Sequence, residues 1–161
     1  MSRITITKPD DWHIHLRDGD MLGRTVNDVA AWANRAVIMP NLSPPVLTVA
    51  DATAYHSRIL SALSEAPDFE PLMTLYLTDN TTPQDICEAA ASPLVCGVKL
   101  YPAGATTNSA SGVTGLESLK PTLAAMQGVL AGHQTWRDAG EQVVELILRA
   151  LGLPEAEART I

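Results

Sequence analysis

Asp11-Trp12-His13-Ile14-His15-Leu16-Arg17-Asp18 alternates polar and apolar residues with the period of a β-strand. Successive strand side chains point to opposite faces, so His13, His15 and Arg17 share one face while Trp12, Ile14 and Leu16 share the other. Two adjacent imidazoles make a metal-ligand pair, and an arginine beside them can hold an anion through paired hydrogen bonds. The stretch therefore reads as strand one, over 11–16, of a domain with metal-dependent hydrolytic chemistry. The plainer alternatives are structural strand histidines and an ion pair of Arg17 with Asp18 or Asp20.

Working outward, the spacing of Met21, Leu22, Val26, Val29, Ala30 and Trp32 predicts a helix over 20–34. Arg35 to Pro40 is a compact second strand closed by proline, and 41–45 is a loop broken by Pro44-Pro45. Thr48 caps a helix over 49–64, with Ala52, Tyr55, Ile59, Leu60 and Leu63 as its buried stripe. A third strand lies within 70–78, and Pro83 opens a short helix reaching about Ala91. A fourth strand covers 94–101, a polar loop 104–112, and a helix 115–127.

Four strands alternating with helices imply βαβ units and a parallel sheet. A doubly wound sheet and a (β/α)8 barrel both satisfy that pattern, and both place chemistry at the C-terminal ends of strands. Histidines facing inward from strand one favour the barrel. The expected fold is α/β, a partial (β/α)8 TIM-type barrel of about four βα units plus a helical tail. The expected division is 1–127 for the barrel part and 128–161 for the tail, in which 136–151 reads as helix.

The bulk properties narrow the partners. The 161 residues, 46% apolar, suffice for one domain with a core. A net charge of −7 argues against nucleic-acid and anionic-membrane surfaces. Two cysteines, Cys87 and Cys96, cannot staple a domain and form no CxxC; Cys96, in an apolar strand, reads as a buried thiol. With no basic-then-apolar leader and no run of about 18 apolar residues, a cytoplasmic setting is the expectation.

Lys99 lies near the end of the fourth strand, where burial disfavours its charged form. One reading is an ammonium that reaches solvent or pairs with an acid. The other is a neutral amine that reacts with carbon dioxide to give a carbamate, an anion able to bridge two metal ions. Asn41, directly after strand two, can donate to a carboxylate or bond its own backbone. Thr106, Thr107 and Asn108 form either a closing loop or a solvated one. His56 reads as a surface residue and His133 as a further candidate ligand. Nucleophile-elbow, Walker and GxGxxG patterns do not occur.

Taken together, residues 11–20, Met39-Pro40-Asn41-Leu42, Leu75-Tyr76-Leu77-Thr78, Lys99-Leu100-Tyr101-Pro102-Ala103 and Ala105-Thr106-Thr107-Asn108-Ser109 closely resemble dihydroorotase. The likeness is to the single-function bacterial type of the amidohydrolase superfamily, and it covers about 1–127. The resemblance implies a (β/α)8 barrel with a two-zinc centre. In it His13 and His15 match metal ligands, and Lys99 matches the carbamylated lysine bridging the metals. Arg17 and Asn41 match the residues that hold the substrate carboxylate, and Thr106 and Thr107 lie in the loop that closes over it. The implied reaction is the zinc-dependent interconversion of dihydroorotate and carbamoyl-aspartate in pyrimidine biosynthesis; a homodimer is compatible with it. Family members are about twice as long, and past Gln127 the match stops, with His133 followed by Gln-Thr-Trp rather than Gly-Glu. The family's later histidine and its proton-shuttling aspartate have no counterpart. The expectation is a truncated chain with little or no activity alone, or a non-catalytic partial-barrel partner of a full-length subunit.

Overall fold

A computed structural model describes residues 4–64 and 68–133. The tail helix expected over 136–151 lies outside these residues, as does the side chain of His133. Four strands form one parallel sheet: β1 (Asp11–Ile14), β2 (Arg35–Ile38), β3 (Glu70–Leu77) and β4 (Val95–Leu100). Helices α1 (Leu22–Ala30), α2 (Val49–Ala62) and α3 (Pro83–Ala91) connect them, and α4 (Lys120–Gly128) follows β4.

Local chemistry sets the helix starts. Asp18 accepts a hydrogen bond from Gly19 N–H ahead of the short 3-10 turn that leads into α1. Thr48 with Asp51, and Thr82 with Asp85, each form a reciprocal capping box, and Pro83 sits in the first turn of α3. The helix expected over 20–34 is shorter, because the chain leaves α1 at Ala30 and returns through Ala33, fully buried, and Asn34. Trp32 and Met21, two of the apolar positions whose spacing predicts that helix, remain about half exposed.

The strand order is β1-β2-β3-β4, with no crossover to the far side of β1. A doubly wound sheet reverses its order at a switch point, whereas barrel strands follow in sequence. The packing agrees. Ile38, Met73 and Leu75 join one buried cluster with Val26, Ala52, Tyr55 and Ile59 of α1 and α2. Leu77 joins a second with Ile86 of α3 and Leu123 and Met126 of α4, and Leu100 packs against it. All four helices thus cover the same sheet face. Alternation turns Thr74, Tyr76 and Lys99 to the other face, the interior of a barrel wall. No helix among the described residues is long and apolar enough to cross a membrane.

Candidate functional site

The residues singled out on chemical grounds converge at the C-terminal ends of the strands. β1 ends at Ile14, earlier than the expected 16, because the chain then turns Leu16 into the first cluster, where it is fully buried. Arg17 follows with a φ of 65°, a region that non-glycine residues rarely occupy. Its carbonyl accepts a hydrogen bond from Tyr55 of α2, which fixes the bend.

His13 and His15 meet at their Nε2 atoms, 3.1 Å apart. Two nitrogens on one tetrahedral zinc, each about 2.0–2.1 Å from it, stand roughly 3.3 Å apart, so the pair is close to the spacing of a shared ligand set. His15 Nδ1 lies 2.7 Å from Asn41 Oδ1, so this nitrogen carries the proton and neutral His15 presents a bare Nε2. Burial lowers the pKa of both rings; the neighbouring Lys99 and His15 add to this at His13, and Arg17 and Lys99 at His15, where the bond to Asn41 works against it. Both shifts favour the neutral imidazole.

Lys99 pairs in register with Tyr76 and sits half-buried, with Nζ 5.5 Å from the centre of the Tyr101 ring. Desolvation lowers its pKa. Among the described residues neither Lys99 nor Arg17 forms an ion pair; Asp18 is taken by Arg58 at 2.7 Å. The plainer readings of Lys99 paired with an acid, and of Arg17 paired with Asp18 or Asp20, are thus not what the structure holds. His13, His15, Lys99 and Arg17 gather without a paired carboxylate, an arrangement suited to anions. No cluster of three or more His, Cys, Asp or Glu side chains exists among the described residues, so a metal here would draw on Lys99 or on groups beyond them.

Asn41 is 2% exposed, and its amide is already engaged: Oδ1 with His15 and Nδ2 with the Thr107 carbonyl at 2.9 Å. One amide hydrogen is left for a ligand. The loop 104–112 is anchored in return by Asn108, whose Nδ2 donates to the Asn41 carbonyl at 3.1 Å. Thr106 and Thr107 are exposed at its tip, and Ser109, 1% exposed, ties the turn by bonding the Thr106 backbone. His56, read as a surface residue, is half-buried on α2.

Tyr101 joins these groups without a chemical signature of its own in the sequence. It packs against Tyr76 with ring centres 5.1 Å apart, and its buried hydroxyl has no hydrogen-bond partner among the described residues. Burial, with Tyr76 adding and Arg17 opposing, pushes its pKa up to about 12. The two-residue spacing from Lys99 was the available signal, since it places both on one face. An orphaned buried hydroxyl beside a lysine and an arginine fits a site shaped for a polar occupant.

Known proteins show what the chain is similar to. No family model matches the chain. Dihydroorotase of Ralstonia nicotianae is 63% identical over 126 residues, 78% of this chain and 37% of the relative. Dihydroorotase of Vibrio cholerae is 58% identical over 129 residues. The chain is a partial homologue of the dihydroorotases. It spans about 37% of the length of the curated dihydroorotases it matches, corresponding to their N-terminal part. The crystal structure of dihydroorotase from Campylobacter jejuni superposes with a TM-score of 0.68 at 44% identity, covering 74% of this chain and 35% of that one. Dihydroorotase from Saccharomyces cerevisiae in complex with 5-fluoroorotic acid gives 0.67 at 38% identity, covering 74% and 33%. The four-stranded sheet thus matches part of the fold of these dihydroorotase structures.

Proposed function

We propose that the chain carries the first part of a dihydroorotase site, for the reversible hydrolysis of the cyclic amide of dihydroorotate to carbamoyl-aspartate. In this reading 1–127 forms the barrel portion and 128–161 a separate tail. His13 and His15 would hold zinc through Nε2, and Lys99, as its carbamate, would offer it oxygen ligands. Bound zinc would lower the pKa of water and polarise the amide carbonyl. Burial favours the neutral Lys99 amine that carbamylation requires; its addition to carbon dioxide forms the N–C bond, releases one proton to solvent and leaves an anion amid two imidazoles and a guanidinium.

Arg17 offers a planar fork to the substrate carboxylate, and Asn41 its remaining amide hydrogen. Thr106 and Thr107 sit on the loop above and limit access of bulk water. The family's later histidine and its proton-shuttling aspartate have no counterpart in the described residues. The chain alone is therefore expected to bind zinc weakly and to turn over little substrate.

The observation that carries this reading is the Nε2–Nε2 approach of 3.1 Å, with His15 oriented through Asn41, in a chain so similar to dihydroorotases. The test is zinc binding by the full 161-residue chain, with 13C-bicarbonate NMR for the carbamate. Zinc binding should disappear in the His13→Ala/His15→Ala variant and the carbamate signal in Lys99→Met. Unchanged zinc affinity in the double variant would sink the assignment.

The sheet edges favour a second reading. β1 and β4 each have a neighbour on one side only among the described strands, and such edges invite pairing. A non-catalytic role beside a full-length dihydroorotase subunit would show as stable co-purification of the two.

A further inference from the structure

We propose that Asn41 is a positioning residue that makes the seating of loop 104–112 and the tautomer of His15 a single event. The proposal rests on reading His15 as a metal ligand and adds what controls its readiness.

The argument follows from what each atom is able to do. The Thr107 carbonyl can only accept, so the amide nitrogen of Asn41 must face it, at 2.9 Å. Turning the amide over would set two carbonyl oxygens against each other. With the nitrogen committed, Asn41 Oδ1 must face His15, and an oxygen that only accepts requires a proton on His15 Nδ1, 2.7 Å away. A neutral imidazole with its proton on Nδ1 has its lone pair on Nε2, the atom aimed at His13 Nε2. A loop carbonyl therefore dictates, through one amide, which nitrogen of a ligand histidine is bare.

The loop has further holds on the same point. Asn108 donates to the Asn41 carbonyl at 3.1 Å, and Tyr76 Oη approaches the Asn108 carbonyl at 3.4 Å. When the loop lifts, Asn41 is free to turn over and present its amide nitrogen to His15, which then moves its proton to Nε2 and has no lone pair facing the metal. Linkage makes the effect reciprocal: whatever binds the bare Nε2 also holds the loop down.

Two variants of the full chain separate the possibilities. Asn108→Gly suits the left-handed backbone there, φ 55°, and removes only the clasp on Asn41. Asn41→Asp keeps an acceptor for His15 but sets a carboxylate oxygen against the Thr107 carbonyl. The readouts are 15N NMR of the His15 ring in the zinc-free chain, and hydrogen exchange of 104–112 with and without zinc.

In the wild type the His15 proton is expected on Nδ1, with zinc slowing loop exchange. Asn108→Gly should speed loop exchange and move the proton toward Nε2 together. Asn41→Asp should keep the Nδ1 proton while zinc no longer protects the loop. Faster loop exchange in Asn108→Gly with an unmoved tautomer would overturn the proposal, as would zinc protection persisting in Asn41→Asp. Failure of the wild type to bind zinc would count against the metal reading, and the zinc-free tautomer measurement would still decide the coupling.

Discussion

Gly112→Ala adds one carbon where the backbone leaves no room for it. A Cβ there would stand 2.3 Å from the Tyr101 carbonyl oxygen and 3.0 Å from Ala103 N and Ser109 O, all backbone atoms. Ordinary contact begins at 3.4 Å, so the chain must open by about 1.1 Å. Val113 N donates to that same Tyr101 oxygen at 2.8 Å, and Ala103 N to the Val113 carbonyl at 2.9 Å. An added 1.1 Å breaks the first bond and misaligns the second. Two backbone hydrogen bonds lost with poor replacement come to roughly 2–3 kcal/mol. Much of the relief comes from detaching the loop rather than unfolding the sheet, so the cost falls on local opening. Amides of 104–113 should then exchange roughly 30- to 140-fold faster, at 1.4 kcal/mol per factor of ten. The control is Gly115→Ala, where nothing lies within 4 Å of the added carbon. Indistinguishable exchange in the two variants would show that the close approach at Tyr101 does not exist.

Tyr55→Phe removes the donor to the Arg17 carbonyl and leaves that carbonyl unpaired behind a fully buried ring; the urea midpoint should fall by an amount equivalent to about 1–3 kcal/mol. Thr48→Ala and Thr82→Ala each dismantle a capping box and should each cost about 1 kcal/mol in the same assay. His13 and His15 have pKa values depressed below 6.5 by burial, so their neutral forms contribute stability fully present above pH 6.5 and lost as pH falls through the lowered values. Zinc-free chain should therefore lose stability on acidification below pH 6.5. An equal slope in a His13→Gln/His15→Gln variant would show that these rings do not carry the effect.

The sheet and its helices were legible because their signals are local. Thr48 and Thr82 with their acidic partners three residues on, and Pro83 after Thr82, fixed two helix starts. β3 follows Glu70–Leu77 because eight residues rich in apolar side chains, bounded by a polar turn, suit a strand covered on both faces. The end of β1 was not legible: alternation continues to Arg17, but burying Leu16 beneath α1 and α2 bends the backbone after Ile14. The histidine pair and Lys99 announced themselves by residue type in apolar strands. The engagement of Asn41 did not, because His15 and Thr107 lie 26 and 66 residues away from it. Tyr101 was passed over because a tyrosine ending an apolar strand reads as packing, and only burial of its hydroxyl without a partner sets it apart.

The two apolar clusters have a consequence for how the site ages, mutates or melts. Leu16, α1 and α2 build most of one, with Ala89 of α3 joining it; Ile86 of α3 and α4 build the other, and Val98 packs against both. The histidine pair and Arg17 ride on the first, while Lys99 and loop 104–112 hang from β4 beside the second. The candidate site lies on a seam. A substitution deep in either cluster, far from any imidazole, can leave that cluster folded and still detune the site by tilting one half against the other. The grouping of His13, His15, Lys99 and Arg17 should then loosen before secondary structure is lost on heating, in a protein that still looks intact by its helix and strand content.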